Sequence, residues 1–599
     1  MSIVQPLGQG VSLSAEAARP PVRATGSWRP GPLWLALPGG LFLLVFLLFP
    51  SLKILLLSIM NSQGEFTFAA FARFFGPSVY QRVLLNTFAI AIQTTAICLV
   101  LGYPVAYWLS SLSKKAQQIL SLFVLLSFWS SALVKNFSWL ILLGRDGIVE
   151  QALRAIGIDV ANLLFNRGVV VFAMSHTLLP LAVVTMLPVM NQIDRRLTMA
   201  ASTLGADRAH VFWRIFFTQS MRGVAAGGLL VFISALGFFI TPSLLGSPRE
   251  MMLGQLIIMQ INELQNWQLG SALAVVLVVT ALLSCVIYDL IFGLSSLAGS
   301  EDRQSGYRHR LLRKIGLGIV NAVATLAAAP VSAYDRSLAR ILKPGLLPIY
   351  ACLVIAVLLV PILAIVPMSF TSGQFLSFPP QGFSLKWYEA YLESPLWINA
   401  TVRSFGIGFV VACATCFLGT LAALGMARSR SRAAGGVFLL FLLPMIVPSI
   451  VIAMALFYLA AQVSLVATNT GIALGHIVIS MPMVFVILLT TFRGHDWALD
   501  NAAATLGANR FQVLMRITLP SIRNGLAAAF VIGFLTSFEE LTIALFMGGG
   551  IKSTLPKQLW DDILLQVSPT LAAASTVVTA VVIVLFAALQ LVRPRARAA

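Results

Sequence analysis

Apolar runs long enough to cross a bilayer recur twelve times in this chain, opening near Leu33, Val83, Ile119, Gly168, Gly223, Gln268, Leu347, Ile398, Gly435, Gly471, Gly525 and Pro569. A helix of about 20 apolar residues spans a hydrocarbon core of ~30 Å, and a backbone in lipid must satisfy its own hydrogen bonds. The runs therefore predict an all-α polytopic membrane protein in contact with lipid. Only 10% of the residues are charged, where an ordinary soluble domain carries about a quarter.

Charge sets the expected orientation. Lys and Arg number 40 against 21 Asp and Glu, a net charge of +19, but the excess is dealt out between apolar runs and not gathered on one face. No nucleic-acid partner is expected from that pattern. With the amino terminus inside, 28 of the 40 basic residues fall in cytoplasmic segments, as the positive-inside bias requires. The first 30 residues are polar and Arg-bearing with no apolar core, so no cleavable signal peptide is expected. Both termini are placed in the cytoplasm. The five cysteines all lie inside apolar runs, Cys413 and Cys416 reading as helix packing, and the five histidines are scattered. Neither a disulfide framework, a metal site nor a catalytic constellation follows. G-x-x-x-x-G-K-[ST] does not occur, so no cofactor or nucleotide is expected on this chain.

Between about Ser295 and Pro348 the apolar pattern lapses and "EDRQSGYRHRLLRK" appears. This divides the crossings six and six. The expected divisions are a cytoplasmic tail over residues 1–32, a first half over 33–296, a cytoplasmic linker over 297–346, a second half over 347–592 and a basic cytoplasmic tail over 593–599. The halves repeat. "AASTLGADRAHVFWRIFFT" from Ala200 returns as "AAATLGANRFQVLMRITLP" from Ala502, with ten identities in the twenty positions from Met199 to Thr218 at an offset of 302. Earlier, Thr87 to Gly102 and Ser404 to Gly419 keep one fifteen-residue spacing. An even number of crossings per half makes the six-helix repeats parallel, about an axis along the membrane normal.

The repeated segment starts with small helix formers, Ala200 and Ala201 or Ala502 to Ala504, and breaks at Gly205 or Gly507, where a left-handed residue can end a helix. Asp207 or Asn509 then caps a second helix. Val211, Phe212 and Ile215, or Phe511, Leu514, Met515 and Ile517, form an apolar ridge on it, with Arg208, Arg214, Arg510 and Arg516 between them. Pro520 is expected to end the second hairpin, where Thr218 leaves the first free to continue. Such a hairpin either lies on the inner headgroups or docks a partner; two copies in register favour a partner with two-fold symmetry.

The pattern resembles the EAA loop of ABC importer permeases: Glu-Ala-Ala, three residues, Gly, nine residues, Ile-x-Leu-Pro. The second copy fits at Asn501, Ala502, Ala503, Gly507, Ile517, Leu519 and Pro520, and the first at Met199, Ala200, Ala201, Gly205, Ile215, Phe217 and Thr218. Met199 and Asn501 stand in place of the glutamate, and Thr218 in place of the proline. "FWSSALVKNFSWLILLGRDGIVEQALRAIGI" from Phe128 and "LLVFISALGFFITPSLLG" from Leu229 look like the first membrane subunit of spermidine/putrescine importers. "GFSLKWYEAYLESP" from Gly382 and "SFEELTIALFMGG" from Ser537 look like the second. The resemblance implies the type I ABC importer permease fold in a bacterial inner membrane. It also implies two copies of a cytoplasmic ABC ATPase, carrying ATP-Mg and docked at the loops, and an extracytoplasmic solute-binding protein.

For the solute path, Glu539 and Glu540 in the penultimate run suit a cation, unless they pair with a basic neighbour such as Arg403 or Lys135. Trp129 and Phe538 are candidate aromatic faces for an ammonium, with helix packing as the alternative. The first half offers Gly237 and Phe238 at the positions of the two glutamates. A polyamine is the expected solute, with another small organic solute or a metal ion as alternatives. An ion-coupled secondary transporter shares the six-plus-six plan, but it would have no use for the paired hairpins.

Overall fold

The computed structural model describes residues 31–292 and 345–592, apart from residues 62, 77–78, 146, 159–162, 207–209, 430, 432 and 550–551. The expected basic tail, most of the amino-terminal tail and most of the linker lie outside the described residues. In the first half the main helices are α1 (Pro32–Leu57), α2 (Val79–Ser111), α3 (Lys114–Trp129), α4 (Ala132–Leu142), α5 (Arg167–Asn191), α6 (Arg195–Thr203), α7 (Val211–Leu236) and α8 (Trp267–Phe292). The second half has α9 (Leu346–Ser369), α10 (Pro395–Arg428), α11 (Ala434–Ile446), α12 (Ser449–Gln462), α13 (Asn469–Arg493), α14 (Trp497–Thr505), α15 (Arg510–Phe538), α16 (Leu555–Leu565) and α17 (Pro569–Val592). Among the described residues there is no strand, only isolated bridges at Met60–Phe66 and Thr371–Phe383.

Among the described residues ten helices are long and apolar enough to cross a membrane, and two further runs are bent pairs. α3 meets α4 at 88°, and α11 meets α12 at 98°. Both breaks have extended backbone, at Ser130–Ser131 and at Val447–Pro448. In the second, the proline pushes the residue before it out of the helical region and has no N–H to continue the ladder.

Each half has a core of three helices, α2, α5 and α7 in the first and α10, α13 and α15 in the second. The repeat is kept at the level of single contacts. Thr87 Oγ1 on α2 accepts from the Leu253 N–H at 2.9 Å, and Ser404 Oγ on α10 accepts from the Leu555 N–H at 2.8 Å. The halves are also interleaved: α1 packs on α10 and α12, while α9 packs on α2 and α4. Tyr350 of α9 donates to the Leu101 carbonyl at 3.0 Å, tying the second half's first helix to the first half.

Close helix approach rests on equivalent glycines. A Cβ at Gly223 would lie 2.9 Å from the Val189 Cβ, and one at Gly525 2.2 Å from Thr491 Oγ1. Gly525→Val is therefore expected to lower thermal stability in detergent by about 1–3 kcal/mol, the usual cost of overpacking. Gly435→Val, where a new Cβ meets nothing within 4 Å, is the control. Equal melting curves for the two variants would show that the α13–α15 contact is not tight.

Candidate functional site

The two hairpins share one construction. α6 and α14 occupy repeat-equivalent residues, and each opens on an aspartate cap that the motif reading had not singled out. The Asp194 carboxylate accepts from the Arg196 N–H at 2.9 Å, and that of Asp496 from the Ala498 N–H at 3.0 Å. Gly205 and Gly507 then turn the chain with φ of +85° and +89°, a region that penalises any side chain. Asn509 begins the second arm in a capping box: its Oδ1 accepts from the Gln512 N–H at 2.8 Å and its N–H donates to Gln512 Oε1 at 2.9 Å. Asp207 and Arg208 lie outside the described residues.

Beyond the caps, both second arms pass through a π-helical turn, Val211–Phe217 and Leu514–Thr518, and run unbroken into the membrane span. Pro520 therefore does not end its hairpin. The Leu519 N–H donates to the Leu514 carbonyl five residues back, and this wider turn, directly ahead of Pro520, accommodates the ring.

The outermost apolar side chains are Leu204 and Leu506, each 88% exposed at the hairpin tip beside the turn glycine. Ala200, Ala502 and Arg510 are exposed, while Ala201, Ala503, Ile215 and Ile517 are half-buried. The ridge differs between copies. Phe511 and Met515 face outward in the second, whereas Phe212 in the first is turned onto Tyr103 and Tyr107 of α2 at ring distances of 6.2 and 5.1 Å, and Phe216 is buried.

The hairpins are also anchored differently. Asp500 of α14 is buried, pairs with Arg428 Nη2 at 2.8 Å and His495 Nε2 at 2.9 Å, and accepts from Thr518 Oγ1 at 3.1 Å. Arg428 also lies 4.4 Å above the Trp497 ring. Ser111, Ile193, Thr198 and Phe216 occupy the equivalent positions in the first half. There Arg195 donates to the Ser110 carbonyl instead.

At the far ends of α7 and α15, about 30 Å from the hairpins at 1.5 Å per residue, each half meets the break in the other half's bent helix. A Cβ at Gly237 would lie 3.1 Å from the Pro448 Cβ. Glu539, the repeat equivalent of Gly237, interacts electrostatically with Lys135 of α4. Lys135 is 1% exposed and donates from Nζ to the Ser127 carbonyl at 2.8 Å. Glu540 has a different setting: its Oε2 caps the short helix Thr542–Met547 by accepting from the Ile543 N–H at 2.8 Å, and lies 3.4 Å from His476 Nε2. Arg403 is turned away and donates to the Ser553 carbonyl at 2.7 Å. Trp129 packs against Phe128 and Phe586, and Phe538 against Phe405 and Phe534, so both rings sit in aromatic clusters.

The family model described as binding-protein-dependent transport system inner membrane component matches this chain over residues 68–296 and again over 416–598. The spermidine/putrescine transport system permease protein PotB of Salmonella typhimurium is 29% identical over 255 residues, 41% of this chain and 88% of the relative. PotC of Escherichia coli, a permease protein of the same system, is 27% identical over 253 residues, 42% of this chain and 94% of the relative. One chain in a crystal structure of a bacterial alginate ABC transporter, in complex with alginate pentasaccharide-bound periplasmic protein, aligns with 45% of this chain and 94% of its own length, at 18% identity and a TM-score of 0.39.

Proposed function

Because this chain belongs to the binding-protein-dependent transport system inner membrane components, whose model matches it over more than half its length, we propose that it carries both membrane halves of an ATP-driven importer. Each hairpin docks one copy of a cytoplasmic ATPase, which supplies the ATP-Mg site, and the opposite face receives an extracytoplasmic solute-binding protein. The termini lie on the hairpin side. The observation that carries this reading is the register-matched pair of hairpins, each offering a leucine 88% exposed beside a positive-φ glycine. α7 and α15 run from the hairpins to the contacts between the halves, so they carry ATPase movement to the pathway. The solute is a polyamine, putrescine or spermidine. That assignment is supported by the relatives' names and by a half-buried carboxylate, Glu539, that interacts with Lys135 of the other half.

Native mass spectrometry of the chain with its cognate ATPase should find two ATPase copies per chain, and one copy would defeat the docking role. Proteoliposomes holding the complete transporter should accumulate labelled putrescine or spermidine only with ATP and the binding protein. Uptake driven by an ion gradient on the purified chain alone would replace the importer with a secondary transporter. ATP-driven uptake that excludes polyamines would remove the solute assignment alone.

A further inference from the structure

At the far ends of α7 and α15 the halves approach each other at two pseudo-symmetric places, and one of the two is charged. The bent helices align at an offset of 317, which sets Ala132 at the start of α4 on Ser449 at the start of α12 and places Ile452 at the position of Lys135. Gly237 stands at the position of Glu539. The first contact, Gly237 against Pro448, is therefore neutral, while the second sets a carboxylate from one half toward an ammonium from the other. Lys135 is buried and Glu539 half-buried, with its Oε1 enclosed and without a hydrogen-bond partner among the described residues. Glu540 is engaged by its helix cap and by His476, which leaves Glu539 as the carboxylate with an open oxygen.

A buried carboxylate oxygen with no donor is costly unless a cation neutralises it. Lys135 is that cation here. Its hydrogen bond goes to the Ser127 carbonyl of its own half, so the ammonium stands near Glu539 without being locked to it. We propose that Lys135 is a built-in counter-ion which holds Glu539 while the halves are closed and gives way to an ammonium group of the solute when they part. Lys135 is thus a specificity-determining residue that competes with the solute, and its pairing with Glu539 keeps the empty transporter shut. The inference rests on the reading of the solute as a cation.

Two measurements on the detergent-purified permease–ATPase complex without binding protein test it: binding of labelled putrescine, and ATP hydrolysis. Lys135→Gln should tighten putrescine binding by about fivefold or more, the low end of ordinary coupling between sites, and raise binding-protein-independent hydrolysis. Glu539→Gln should weaken binding and also raise hydrolysis. The reversed pair, Lys135→Glu with Glu539→Lys, should restore quiet hydrolysis, and it remains informative if the single variants fold poorly. Weaker or unchanged putrescine binding by Lys135→Gln overturns the competition. High hydrolysis by the reversed pair overturns the closing role. If the wild type binds no putrescine, the polyamine reading falls and the hydrolysis measurements still decide whether Lys135 and Glu539 close the halves.

Discussion

Replacing both tip leucines, Leu204→Asp with Leu506→Asp, is expected to strip both ATPase copies from the chain and abolish ATP-driven uptake while leaving the folded yield intact. At 88% exposure the two side chains contribute almost nothing to the fold, so the change falls on whatever covers them. Burying a leucine on a partner is worth about 1.5–3 kcal/mol, and an aspartate in its place adds the cost of an unpaired buried charge. The combined loss is about 3 kcal/mol or more at each site, at least a hundredfold in affinity. Native mass spectrometry with the cognate ATPase reads the loss directly, and each single variant should keep one copy. Retention of both copies by the double variant would mean that the tips are not the docking surface.

The second large effect is one-sided. Asp500→Ala removes the shared partner of Arg428, His495 and Thr518, leaving a cation whose counter-charge is gone and taking from His495 and Thr518 the carboxylate they share. Arg428 is 44% exposed, so solvent screens part of the loss, and removing the buried acceptor costs about 1–3 kcal/mol. The damage should localise to α14 and the π turn beyond it. Hydrogen exchange should show the second hairpin opening about tenfold more often, with a matching fall in uptake. Thr198→Ala at the equivalent site should do little, since Phe216 and Ile193 hold the first hairpin by apolar packing. Equal protection of the second hairpin in Asp500→Ala and wild type would show that the cluster does not hold it in place.

Local features of the hairpins were legible in the sequence, while those that depend on distant partners were not. A glycine after a run of alanines announces its own positive φ, and Asn509 announces its cap, because both act on neighbouring backbone. Asp194 and Asp496 act on neighbouring backbone in the same way, but they stand ahead of the repeated motif and were found only in the fold. Leu204 and Leu506 belong to no periodic stripe, so nothing in the chain separates a solitary loop leucine from a buried one. The Asp500 carboxylate meets Arg428 from 72 positions away, and the turning of Phe212 onto Tyr107 is likewise a tertiary event. The bends after Trp129 and Ile446 sit inside continuous apolar runs, which read as straight crossings because lipid-facing and protein-facing helix have the same composition. Glu539 and Glu540 are adjacent in sequence and have different surroundings, and only the fold separates the helix cap from the carboxylate facing Lys135.

The single charged contact also bears on assembly. Two copies of the second half would set Glu539 against Ile452 twice, and two copies of the first would bury Lys135 twice with Gly237 opposite it. Each mispaired arrangement leaves two ionisable groups without their counterpart. Only the unlike union cancels the charge, while the neutral Gly237–Pro448 contact permits it without imposing a charge of its own. The halves thus carry a matching rule that rejects self-association, written in one lysine and one glutamate, and covalent joining makes the permitted combination intramolecular.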